Sequence, residues 1–171
     1  MTRILPRTAV PAFEVNTLNG GIWNLADQSP EHFTFVFFYR GLHCPLCAGQ
    51  LQDVERNLDA FLELGIEPIA ISSDSKERAE KSQKTWGLKR LNIGYGLTEE
   101  QARTWDLYMS NGFKEGEPER FSEPALYIVR PDGTLYATAI QSMPFTRPGA
   151  KELVQGFTYI ISNNYPARGE G

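Results

Sequence analysis

Residues 33–39 read Phe-Thr-Phe-Val-Phe-Phe-Tyr. Nearly every side chain in this run is aromatic or β-branched, so it has no polar face to turn toward water. It therefore predicts a strand covered on both sides, as in a parallel sheet packed between layers of helix. A strand of that kind needs a large core around it. The 171 residues can supply one, and residues 1–171 read as a single domain. Hydrophobic residues make up 41% and charged residues 22%, which excludes general disorder.

The rest of the chain supplies partners for that strand. Phe13-Glu14-Val15 and Gly21 to Leu25, split by Asn19-Gly20-Gly21, predict an N-terminal hairpin. Residues 1–11 carry two prolines and read as an extended arm. Pro45 suits the first turn of a helix, and Leu51, Val54, Leu58, Phe61 and Leu62 continue it to Gly65. Ile66 to Ile71 is a second central strand. Asp74 with Glu77 predicts a capped helix running to Trp86, and Ile93 to Tyr95 a short strand. Thr98 with Gln101 predicts another helix, to about Leu107. Residues 110–123 read as a loop. Residues 125–129 and 135–140 form a hairpin around Pro131-Asp132-Gly133. An amphipathic helix carries Leu153, Val154, Phe157, Ile160 and Ile161, and the tail after Pro166 reads as frayed. This order predicts an α/β sandwich around a central mixed sheet flanked by helices.

Between the first buried strand and the first helix lies Arg40-Gly41-Leu42-His43-Cys44-Pro45-Leu46-Cys47, which holds both cysteines of the chain. Open α/β sheets carry their sites at such strand ends. A cysteine there meets free backbone N–H groups and the positive end of the helix dipole, and both favour thiolate. A second cysteine one turn on can close a small disulfide with it. Two bland readings compete. Two inert buried cysteines are common in cores but rarely fall at this spacing and place. A zinc site would find only half its ligands here, with His43 badly placed and His32 the one other histidine. Ala48 stands where haem attachment would need histidine. No metal or organic cofactor is implied.

Several blocks together carry a resemblance. Residues 10–15 and 20–25, Phe37-Phe38-Tyr39-Arg40-Gly41, the cysteine motif, Met143 to Arg147 and Glu152 to Gln155 resemble peroxiredoxins of the alkyl hydroperoxide reductase and thiol-specific antioxidant type. The likeness spans roughly residues 8–160. It implies a thioredoxin fold and a thiol-dependent oxidoreductase. Laid over the family's P-x-x-x-T/S-x-x-C motif, the attacking position is Cys47, Arg40 replaces the proline and Cys44 replaces the threonine. Where the family usually has an arginine, this chain has Glu123-Pro124-Ala125. That segment resembles the cis-proline loop of thioredoxins, so a cis Glu123–Pro124 bond facing the cysteines is expected.

The expected site is therefore Cys44 and Cys47, with Arg40, His43, Pro124 and Arg147 in support. Arg40 either stabilises a thiolate or caps a strand end at the surface. His43 either tunes Cys44 or simply lines the site. Arg147 matches a family position near the active site, with a surface role as the alternative. Position at the helix cap favours Cys44 as nucleophile and Cys47 as resolver. The substrate is a peroxide or a disulfide, and an external thiol restores the dithiol. A protein-disulfide reductase and a non-catalytic redox sensor are the rival readings. Net charge of −4 with scattered basic residues gives no reason to expect nucleic acid or an anionic membrane. The sequence has no run of the roughly 20 apolar residues that a spanning helix needs. No signal-peptide stretch is evident either, so a cytoplasmic protein is expected, with a homodimer as one option for its assembly.

Overall fold

The computed structural model describes residues 3–171. Its strands are β1 (Glu14–Thr17), β2 (Ile22–Asn24), β3 (Phe33–Phe38), β4 (Ile66–Ile71), β5 (Asn92–Tyr95), β6 (Met109–Asn111), β7 (Arg120–Ser122), β8 (Ala125–Val129) and β9 (Leu135–Ile140). Its α-helices are α1 (Pro45–Arg56), α2 (Leu58–Glu63), α3 (Lys76–Trp86), α4 (Glu99–Thr104) and α5 (Ala150–Ser162). Seven strands form one mixed sheet in the order β2-β1-β5-β4-β3-β8-β9. The aromatic run sits at its heart. β3 pairs in parallel with β4, from Phe33↔Ile66 to Phe38↔Ile71, and antiparallel with β8, where Phe38 faces Ala125.

All six residues of β3 are buried, and their alternation divides the core in two. Phe33, Phe35, Phe37 and Tyr39 point to one face, where they meet Leu51 and Val54 of α1, Phe61 of α2 and Phe157 of α5. Val36 and Phe38 point to the other, toward Phe13, Trp105 and Tyr127. Each large side chain fully buried this way contributes about 1.5–3 kcal/mol, so the run anchors both layers. Trp105 packs edge-on against Phe13 and Tyr127, and its carbonyl accepts the Tyr127 hydroxyl.

Five local expectations are corrected. The first helix is not continuous to Gly65. It breaks at Asn57, whose side-chain amide donates back to the Asp53 carbonyl and ends the run. The cap of α3 is Ser75 rather than Asp74. Residues 110–123 are not all loop, because β6 and β7 pair antiparallel from Met109↔Ser122 to Asn111↔Arg120. The tail after Pro166 is held: Ala167 is buried, and its carbonyl accepts both Nε and Nη2 of Arg7. The Thr98–Gln101 capping box is present, but its helix ends at Thr104, short of Leu107. Among the described residues, no helix is long and apolar enough to cross a membrane.

Candidate active site

The site begins where β3 ends. Gly41 adopts a φ of +130°, and a Cβ there would lie 2.7 Å from both oxygens of the Asp74 carboxylate. Only glycine fits that approach. Asp74 follows β4, the parallel neighbour of β3, so both strands deliver their next residues to the same sheet end. Its carboxylate is fully buried; it accepts the Leu42 N–H at 2.8 Å and Arg78 Nε at 2.8 Å. The loop is thus wrapped around a buried acceptor, and it hands Cys44 to the start of α1.

Cys44 occupies the N-cap of α1 in extended conformation, as a residue before proline prefers, and Pro45 takes the first turn. The Cys47 N–H donates to Cys44 Sγ at 3.2 Å. The two sulfurs are joined as a disulfide with Cα atoms 5.2 Å apart, inside the ordinary range for such a bond. Cys44 is 3% exposed and Cys47 is fully enclosed. A cavity of about 250 Å³ opens in front of Cys44 but not Cys47; Arg40, His43, Lys114 and Glu117 line it. Among the described residues, no group of three His, Cys, Asp or Glu side chains could hold a metal ion.

Arginines and carboxylates both stand around the pair. Arg147, from the segment before α5, places Nη2 3.4 Å from Cys47 Sγ, while its Nε and Nη1 are buried without partners. Burial, and then the neighbouring Arg40, pull its pKa down from the usual arginine range to about 10, against the pull of Glu123. Arg40 donates two hydrogen bonds to Glu123, at 2.7 and 2.8 Å, and lies over the Phe121 ring. His43 packs edge-on against the same ring, with neither ring nitrogen partnered. Burial pulls its pKa below the usual histidine range, against the opposing charges of Asp74 and Glu117.

Five of the six expected residues therefore gather at one place. Pro124 joins them in position, because it precedes β8 beside the end of β3, but not in conformation. The described chain contains no cis peptide bond, so Glu123–Pro124 is trans. The backbone that a cis turn would have presented is already used: the Glu123 N–H donates to the Tyr108 carbonyl and the Pro124 carbonyl accepts from Gln141. That expectation is corrected, and the disulfide-reductase reading loses one of its two supports, keeping only the Cys44-Pro45-Leu46-Cys47 motif.

The remaining question is which framework carries this pair. Residues 6–138 match the AhpC/TSA family. The chain belongs to that family. Two provisionally named peroxiredoxins from strains of Mycobacterium tuberculosis are each 31% identical to it over 87 residues, which is 51% of this chain and 55% of theirs. The chain thus spans about half the length of the curated relatives it matches. Among solved structures, peroxiredoxin 6 of Arenicola marina superposes with a TM-score of 0.77 at 19% identity, covering 95% of this chain and 76% of that one. The reduced 2-Cys peroxiredoxin of Plasmodium vivax does so with a TM-score of 0.77 at 17% identity, covering 96% and 86%. These likenesses show the fold: the mixed sheet and flanking helices are the thioredoxin fold as AhpC/TSA proteins carry it.

Within the AhpC/TSA frame, sequence reasoning missed the acidic half of the site. Asp74 was assigned to a helix cap, and Glu123 was passed over for the proline beside it. A signal existed for each. Asp74 follows a strand predicted to neighbour β3, and Glu123 is a lone charge entering an apolar strand. Ser110 and Phe121 lie in the segment read as loop, and nothing local marks them.

Proposed function

We propose that this protein is a thiol peroxidase that reduces peroxides through a Cys44–Cys47 dithiol–disulfide cycle. The observation that carries the reading is a bonded cysteine pair at the cap of α1, within a peroxiredoxin framework and beneath the Arg147 guanidinium. Cys44 faces the cavity, so we assign it the attack. Its thiolate takes one peroxide oxygen; the O–O bond breaks, the leaving oxygen picks up a proton, and Cys44 becomes a sulfenic acid. Cys47 is held by Arg147, which favours its thiolate form for the second step. That thiolate attacks the Cys44 sulfur, the S–O bond breaks, hydroxide leaves as water after protonation, and the disulfide closes. Two external thiols, or one dithiol, then return two electrons by exchange and leave as their own disulfide.

Arg40, paired with Glu123, and His43 both line the cavity. Such a cycle needs a compartment that keeps thiols reduced, and the cytoplasm suits it. The site draws on the end of β3, the start of α1, the β6–β7 ribbon and the segment before α5, so we take residues 1–171 to act as a single domain.

Stopped-flow oxidation of the reduced protein by hydrogen peroxide tests the reading. Wild type should oxidise in a fast second-order phase and lose two thiols. Cys47→Ser should stop at a sulfenic acid on Cys44, and Cys44→Ser should react slowly. If only the variant retaining Cys47 forms sulfenic acid, the cysteine assignment reverses. If the wild type itself reacts no faster than a free thiol, the peroxidase reading fails.

A further inference from the structure

We propose that Glu123 is a positioning residue that tunes the cysteine pair by holding and neutralising Arg40. Its carboxylate is almost fully enclosed, with a side-chain exposure of 4%. It accepts three hydrogen bonds, from Arg40 Nε at 2.7 Å, Arg40 Nη2 at 2.8 Å and Ser110 Oγ at 2.6 Å. The Phe121 ring, 5.5 Å from the Arg40 guanidinium carbon, supports the same plane. Arg40 is therefore fixed at the cavity wall by groups from β6, β7 and the entry to β8.

The charge balance follows from that arrangement. The guanidinium of Arg40 repels that of Arg147, and the Glu123 carboxylate, bonded to Arg40, attracts it. Glu123 commits its oxygens to Arg40 and Ser110. Arg147 is left with its one partner on sulfur and two buried N–H groups that bond to nothing. Glu123 thus cancels one cation and leaves the other for Cys47. A buried carboxylate tied to Arg40, which lines the cavity with Cys44, also opposes any thiolate formed there. Both effects act in the same direction: Glu123 restrains thiolate formation and so favours the disulfide over the dithiolate.

The other charged groups around the pair are known. His43 lines the cavity from the loop after β3, and the charges of Asp74, Glu117, Arg78 and Arg40 act on it. Lys114, Glu115 and Glu117 face Cys44 from the β6–β7 connection. Glu123→Gln changes none of these, so its effect isolates the one carboxylate.

This inference deepens the peroxidase reading, but its test uses no peroxide. Two quantities would be measured on the purified protein: thiolate ultraviolet absorbance against pH, and the fraction of disulfide in glutathione buffers of set ratio. In the second, a glutathione thiolate opens the S–S bond to a mixed disulfide, and a second glutathione releases the dithiol and leaves as oxidised glutathione. Glu123→Gln should form thiolate at lower pH and be easier to reduce, with the equilibrium constant moved on the order of tenfold. Glu123→Asp should restore most of the wild-type titration. Arg40→Gln should move both readouts the opposite way. A Glu123→Gln protein that is folded by circular dichroism but titrates like wild type, or shifts to higher pH, overturns the proposal. Should that variant not fold, Arg40→Gln decides: an upward shift with harder reduction supports it, and no shift overturns it. Failure to react with peroxide leaves these titrations untouched, so the two readings fail separately.

Discussion

Gly41 shows how little freedom the residues of this site have. Its positive φ and the 2.7 Å approach of the Asp74 oxygens leave no space for a methyl group. Asp74 cannot yield, because Leu42 and Arg78 both hold it. Gly41→Ala should therefore cost about 1–3 kcal/mol in denaturant unfolding and slow closure of the disulfide. Asp74→Asn should be milder, since one acceptor oxygen remains. His43 makes a second case. Its pKa lies below the ordinary histidine value, so the unfolded chain takes up a proton that the folded chain refuses. The sign follows: stability is full above about pH 6.5 and falls as pH drops through that value toward the folded pKa. Wild type should lose denaturant midpoint on acidification, and His43→Gln should lose less. An identical acid limb in both would remove this role. The cysteines, Arg40, His43 and Arg147 were legible because they cluster in, or align with, one motif. Asp74 and Glu123 were not, because what brings them to the site is strand pairing rather than a spacing.

The elements of the site are locked to one another by side chains acting across helices. α5 begins at Gly149, which has no side chain to cap it. The cap comes instead from α1: Asp53 Oδ2 accepts the Ala150 N–H at 2.8 Å. Arg147 stands just ahead of that junction. Asp53→Ala should cost roughly 0.5–2 kcal/mol, as loss of an N-cap does, and should also slow disulfide closure by loosening Arg147. Asp53→Asn should recover part of both, which an effect of charge alone would not. Long periodic elements such as β3, β4 and α5 could be read from the chain because their burial patterns repeat. The break at Asn57 could not, since the apolar spacing runs through it unchanged while one amide reverses onto the backbone. The β6–β7 ribbon was hidden for a related reason. Its strands are three residues each, mostly polar, and too short to show alternation.

At the scale of the whole molecule the sheet is polar in its tasks. The cysteine motif leaves the C-terminal end of β3, while the opposite end is closed by the chain's two extremities. The Arg7 N–H donates to the Leu135 carbonyl at 2.7 Å, and the Leu135 N–H returns a bond to Thr8 at 2.9 Å. The arm thus lies along the start of β9, an edge strand whose free backbone groups need cover. The tail closes over the arm. Ala167 accepts from the Arg7 guanidinium, and the Tyr165 carbonyl accepts the Tyr136 hydroxyl at 2.9 Å. The accompanying Arg7–Glu170 ion pair is exposed on both sides, so it adds little. A six-residue strand spans about 20 Å, which separates this clasp from the sulfurs. Deleting residues 165–171 should therefore lower unfolding stability by about 1–3 kcal/mol, the value of the lost buried hydrogen bonds. It should leave thiol titration and disulfide closure unchanged. Arg7→Ala should reproduce part of the stability loss by itself, because its guanidinium holds Ala167 and Glu170 while the Tyr136–Tyr165 bond remains. If the truncated protein instead titrates its thiols differently while remaining folded, the two ends of the sheet are coupled, and the division of tasks argued from the geometry is wrong.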